Sequence, residues 1–205
     1  MRKQERAALI QKLLNHYFPD PPIPLHFRNS YTLLIAVLLS ARSTDAMVNK
    51  VTPKLFAHAE TAEEMIKLDE EEIRKIIRPC GLSPQKARAI LGLSQILVEK
   101  FNGEVPQTFE ELESLPGVGH KTASVVLAQA FKIPAFPVDT HIFRCARRWG
   151  LSKGKSVTQV EKDLRKIFPK EEWIRIHLQI IYYARRFCPA RCHHIKTCPI
   201  CLALE

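Results

Sequence analysis

The chain of 205 residues is long enough for one domain or two small ones, and its 46% hydrophobic content is ample for a buried core. Its longest apolar run, Leu33 to Leu39, falls far short of the ~20 residues that span a bilayer, which excludes a membrane-spanning helix. Lysine and arginine number 31 against 21 acids, a net charge of +10, and such an excess points to a polyanion whose counterions are released on binding.

Almost every segment reads as helix, so the expected class is all-α. Leu9, Ile10, Leu13, Leu14 and Tyr17 form a one-sided stripe over residues 2 to 17. Pro19 to Pro24 then reads as an extended linker. Ser30 is placed to cap a strongly apolar helix to Ser40, and Thr44 or Asp45 the next, to about His58. Thr61-x-x-Glu64 and Asp69-x-x-Glu72 start two short helices. Ser83-Pro84 reads as a cap with proline at the first helical position, opening a helix to about Phe101 that stops at Asn102-Gly103. Thr108-x-x-Glu111 starts a short helix, and Lys121 to Phe131 forms a long apolar one. Asp139 opens a helix to about Trp149, Ser156 one to Ile167, and Glu171 one to about Phe187. No run alternates at period two for long enough to suggest a sheet. The charged start, Met1 to Arg6, leads into no signal-peptide core, and six cysteines without a secretory signal argue for a reducing cytoplasm.

Leu115-Pro116-Gly117-Val118-Gly119-His120-Lys121-Thr122 joins two of these helices through two glycines. Glycine relieves the Cβ clash, so this corner can turn tightly and bring its amides close to a ligand. Amides at a helix N-terminus bind an anion, most often a phosphate. Lys121 stands at the first turn of the following helix. A lysine amine becomes a nucleophile when burial and a positive neighbour, here the helix macrodipole, strip its proton. Downstream, Asp139 reads as a helix N-cap whose carboxylate is held ionised by amide donors. Arg144, Arg147, Arg148, Lys153 and Lys155 form one basic cluster, and Arg185, Arg186, Arg191, His193, His194 and Lys196 a second. Both are expected to contact phosphate, whereas acidic Glu60 to Glu72 faces away from a polyanion.

Leu115 to Leu127, followed by Val138-Asp-Thr-His-Ile-Phe-Arg144, resembles the helix-hairpin-helix and catalytic aspartate segments of the endonuclease III family, as do Leu38 to Asp45 and Gly103-Glu-Val-Pro106. The resemblance implies two helical lobes with DNA crossing a cleft between them. One would be a helical barrel of residues 22–132, the other residues 1–21 with 133–205. It implies a monomeric base-excision DNA glycosylase with AP-lyase activity on duplex DNA carrying oxidised pyrimidines or abasic sites, cytoplasmic and, in a bacterium, on the nucleoid. Lys121 would attack the sugar C1′, displace the base and form an imine whose neighbouring C2′ proton is acidified for β-elimination. Asp139 would stabilise positive charge on the sugar. A base inside a duplex is out of reach, so the nucleotide must flip out. Arg42, where the family has glutamine, and Leu82, the family's apolar wedge, would fill the opened duplex. Leu115, Gly117, Val118, Gly119, His120, Thr122 and His141 complete the expected DNA-binding set, and Asp45 and Glu113 match polar positions near the family's pocket. A monofunctional glycosylase and a non-catalytic hairpin DNA-binding protein are the alternatives; Lys121 speaks against the first, and the second needs neither Lys121 nor Asp139.

Cys188-x3-Cys192-x5-Cys198-x2-Cys201 packs four thiols into the tail, beside His193 and His194, and suggests a metal centre. The endonuclease III family holds a [4Fe-4S] cluster through Cys-x6-Cys-x2-Cys-x5-Cys. With Cys188 first and Cys198-x2-Cys201 as the middle pair, the fourth position lies beyond Glu205, so Cys192 or a histidine would have to substitute. The first reading is a [4Fe-4S] cluster on Cys188, Cys192, Cys198 and Cys201. A four-ligand zinc site and a metal-free tail stay open.

Overall fold

The computed structural model describes every residue from Met1 to Glu205 and contains twelve α-helices, three short 3-10 turns and no strand. None of the helices is long and apolar enough to cross a membrane. The chain divides into two compact units, Pro24–Ile133 and Met1–Ile23 with Pro134–Glu205.

The unit Pro24–Ile133 contains α2 (Ser30–Ser40), α3 (Asp45–Phe56), α4 (Ala62–Met65), α5 (Glu70–Ile77), α6 (Ser83–Phe101), α7 (Phe109–Glu113) and α8 (His120–Ala130). Its centre is α2, where every residue from Tyr31 to Leu39 is buried. A helix apolar all round has no solvent face and must be surrounded, and each large apolar side chain so enclosed contributes about 1.5–3 kcal/mol. Around it pack Val48, Leu55, Ile73, Ile90, Leu93, Leu97, Val126 and Leu127. The cap of α2 is Asn29 rather than Ser30. The Asn29 Oδ1 accepts from Thr32 N at 2.8 Å and Thr32 Oγ1 accepts from Asn29 N at 3.0 Å, so two orphan amides are satisfied reciprocally. Thr44, not Asp45, caps α3, and Thr61 and Thr108 cap α4 and α7. At α6 the cap is Leu82, in the left-handed region at φ 51°, which leaves Ser83 and Pro84 inside the first turn. The helix ends where Asn102 and Gly103 also turn left-handed.

The other unit contains α1 (Lys3–Tyr17), α9 (Thr140–Arg148), α10 (Val157–Ile167), α11 (Trp173–Arg186) and α12 (Pro199–Ala203). Its core gathers Ile10, Leu14, Phe136, Ile142, Trp149, Leu164, Ile176, Ile180 and Tyr183. Gln179 of α11 ties α1 in place, donating to Asn15 Oδ1 at 2.9 Å and Phe18 O at 2.8 Å. Tyr183 packs edge-on against Trp149 and accepts from Ile200 N at 2.8 Å, which fastens the C-terminal tail to α11.

Candidate functional site

The hairpin between α7 and α8 shows what each of its residues is for. Leu115 and Val118 are buried, so their side chains anchor the corner in the core and only backbone is left to meet a ligand. Gly117 sits at φ 76°, and a Cβ there would lie 2.9 Å from Ala89 Cβ and 3.1 Å from Leu38 Cδ1. Glycine is therefore demanded by the fold at 117. Gly119 differs: its φ is −98°, open to any residue, and a Cβ there would meet nothing within 4 Å. Gly119 is the N-cap of α8 and brings no capping side chain, so the first amides of that helix have no partner within it. The space in front of them is kept clear, as an anion site requires.

His120 opens α8, stacked on Phe109 with ring centroids 5.0 Å apart, its Nδ1 2.7 Å from Glu113 Oε1. Lys121 is the second residue of α8 and exposed; Thr122 follows, half-buried. The burial expected around the lysine amine is absent. The positive end of the helix remains beside it.

In the same unit, Arg42 at φ 57° and Leu82 at φ 51° are both exposed and both left-handed. Such a backbone is strained for side chains of this size and persists only where neighbours fix it. The fixing group is Lys86, a residue no sequence pattern singles out. Its buried ammonium donates to Leu39 O at 2.8 Å, Ala41 O at 2.9 Å and Cys80 O at 2.9 Å. Two of these carbonyls end α2, and Ala41 and Cys80 lie one and two residues before Arg42 and Leu82. One cation thus caps a helix and pins both projecting residues. Burial holds the Lys86 amine below the usual lysine range.

Asp139 caps α9, its Oδ1 accepting from Ile142 N at 2.8 Å. The segment before it, Ala135 to Val138, is buried, and His177 of α11 holds it through a 2.9 Å bond between Nδ1 and Pro137 O. His177 lies 38 residues downstream of Asp139, so only the folded chain reveals it. His141 contacts Arg144 Nη2 at 3.1 Å through its Nδ1. Arg144 also donates to Cys188 O at 3.0 Å, and Arg148 to Cys188 Sγ at 3.2 Å and Pro189 O at 2.9 Å. Two arginines expected to meet phosphate are thus engaged in holding the cysteine tail.

In that tail Cys188, His193, Cys198 and Cys201 present ligand atoms that all lie within 4.8 Å of one another, a group suited to a metal ion. The expected fourth cysteine, Cys192, is not among them. It is exposed and left-handed at φ 53°, a kink that turns its thiol outward and the following His193 inward. The surroundings favour the protonated form of all three thiols. Hydrogen bonding with Cys145, with burial added, pushes Cys188 up to about 11; hydrogen bonding with Cys188 and burial push Cys198 to about 12; burial pushes Cys201 to about 11. A bound cation would displace those protons. Cys80 and Cys145 are buried and stand outside the group.

Residues 35–170 match the model of the HhH-GPD superfamily of base excision DNA repair proteins. An endonuclease III of Treponema pallidum (strain Nichols) is 48% identical over 180 residues, covering 88% of this chain and 85% of that protein. The structure of a non-covalent endonuclease III–DNA complex superposes with a TM-score of 0.95 at 44% identity, covering 100% of this chain and 95% of that one. That of a trapped endonuclease III–DNA covalent intermediate gives 0.93 at 44% identity, covering 98% and 94%. With a hairpin of this geometry, and likeness of this extent, the chain belongs to the endonuclease III family of HhH-GPD base excision DNA repair proteins.

Proposed function

We propose that this chain is a base-excision DNA glycosylase with AP-lyase activity, acting as a monomer on oxidised pyrimidines and abasic sites in duplex DNA. The amides at the start of α8 and the open face of Gly119 hold a DNA phosphate. Leu82 and Arg42 enter the duplex where the damaged nucleotide has left it. The Lys121 amine attacks C1′ of the extruded sugar, the C1′–base bond breaks, and the base departs with a proton; the C1′–O4′ bond then opens, O4′ taking up a proton as the nitrogen gives one up, which leaves C1′ doubly bonded to nitrogen. The resulting imine acidifies the C2′ proton, whose removal expels the 3′ phosphate and cuts the strand. Bound DNA supplies the desolvation that the exposed lysine lacks on its own. Asp139, fixed by Ile142 N and the His177-held segment, supplies the carboxylate that stabilises positive charge on the sugar.

The observation that carries this reading is a lysine in the first turn of the helix that follows the hairpin. A hydroxyl there could not form an imine. That a related endonuclease III is known as a trapped covalent DNA intermediate supports the same chemistry. Six free thiols suit work in a reducing compartment. The test is a labelled duplex with one abasic site. Wild-type protein should cut it by β-elimination, and Lys121→Ala should bind with similar affinity yet leave it intact. A wild-type protein that binds without cutting would instead support a hairpin binding module.

A further inference from the structure

The tail departs from its family in a way that changes what it can hold. We propose that it is a single-ion zinc site with Cys188, His193, Cys198 and Cys201 as ligands, in place of a [4Fe-4S] cluster. Zinc takes four ligands tetrahedrally, with Zn–S near ~2.3 Å and Zn–N near ~2.0 Å, which sets ligand atoms about 3.4–3.8 Å apart. The four donor atoms here, all within 4.8 Å, need close in by at most about 1.4 Å to meet that geometry. A cubane puts four irons and four sulfides between its ligands, so their donor atoms stand further apart than around one ion. The tail would have to widen to admit it. Three thiolates and one imidazole are also an ordinary zinc set, whereas the cluster in this family is held by four thiolates.

His193 is the residue that decides the matter. Its Nε2 is shut away from solvent without a hydrogen-bond partner, and a ring nitrogen lies within 4.8 Å of the three thiols. A buried imidazole nitrogen without a partner is costly unless something with an empty orbital is meant to meet it. Nine residues separate Cys188 from Cys198, where the family has six, and the longer segment carries His193 into the group. The surroundings suit an anionic centre: zinc with three thiolates carries one net negative charge, and Arg148 donates to Cys188 Sγ at 3.2 Å. An opening of about 290 Å³ bordered by Arg6, Arg148, His193 and Cys201 gives an ion a way in.

The readout is the metal itself, so it stands apart from catalysis by Lys121. The full chain, expressed with both zinc and iron supplied, should contain one zinc per chain by elemental analysis and lack the broad visible charge-transfer absorption of an iron–sulfur centre. Cobalt(II) in place of zinc should give the intense visible bands of a tetrahedral thiolate site. His193→Ala should weaken zinc at least about tenfold in chelator competition, the least that even an outer-shell partner costs. Cys192→Ala should leave affinity unchanged. His193→Cys should keep the metal and strengthen the thiolate-to-cobalt charge transfer. Four irons per chain in the purified protein would overturn the proposal. So would zinc lost from Cys192→Ala and kept by His193→Ala, or a chain that binds neither metal.

Discussion

The two hairpin glycines look alike in sequence and do different work. Gly117 is held at a positive φ with Ala89 and Leu38 pressed against it, so Gly117→Ala meets both backbone strain and overpacking. It should cost about 2–4 kcal/mol of stability, visible as a lower Tm. Gly119 has neither constraint. Gly119→Ala should melt within a degree or two of wild type and still bind DNA several-fold more weakly, because the added methyl stands where a phosphate must approach the α8 amides. Equal destabilisation by the two substitutions would remove the argument that Gly119 is kept for a ligand. The sequence reveals the pair and its turn; which glycine serves the fold and which the ligand depends on neighbours 28 and 79 residues upstream of Gly117, Ala89 and Leu38, that no local pattern announces.

At the scale of elements, helix starts are largely legible because they are local. Thr61, Thr108, Asp139 and Ser156 cap where their side chains sit next to the first turn. Among the misplaced starts, those at α2 and α6 are ones where a neighbour outcompetes the obvious candidate: Asn29 bonds reciprocally with Thr32, and Leu82 is forced left-handed; the helix expected from Glu171 begins at Trp173, after a 3-10 turn over Lys170–Glu172. The device behind Leu82 is Lys86, whose three carbonyl partners come from two distant segments. Lys86→Met keeps the length of the stem and removes the donors. It should cost about 3 kcal/mol from the unpartnered carbonyls it leaves behind. It should also slow cutting of damaged-base DNA more than that of an abasic site, since Arg42 and Leu82 are then loosened. Loss of both activities in proportion to stability alone would make Lys86 a structural residue only. The tail shows the other limit of sequence reading. Spacing brings four cysteines forward, but the kink at Cys192 that exchanges a thiol for His193 is a backbone event without a sequence signature.

For the molecule as a whole, the charge of +10 reads directly from the residues, and its distribution among tasks does not. Arg144 and Arg148 are taken up by the tail, so fewer cations meet phosphate than the two clusters suggest. Binding of undamaged duplex should weaken linearly in log–log with salt, each phosphate contact adding about −0.9 to the slope. Neutralising Arg148 should change that slope less than neutralising Lys153 or Lys155. The function of the whole molecule, however, turns on chemistry: one amine at the start of α8 becomes bonded to the sugar. Borohydride reduction of the protein on a duplex with a single abasic site, followed by peptide mapping of the adduct, tests it most directly. The expected product is a stable protein–DNA species whose modified peptide carries the deoxyribose remnant on Lys121, with none formed by Lys121→Ala. An adduct that forms at another amine, or persists without Lys121, would contradict it.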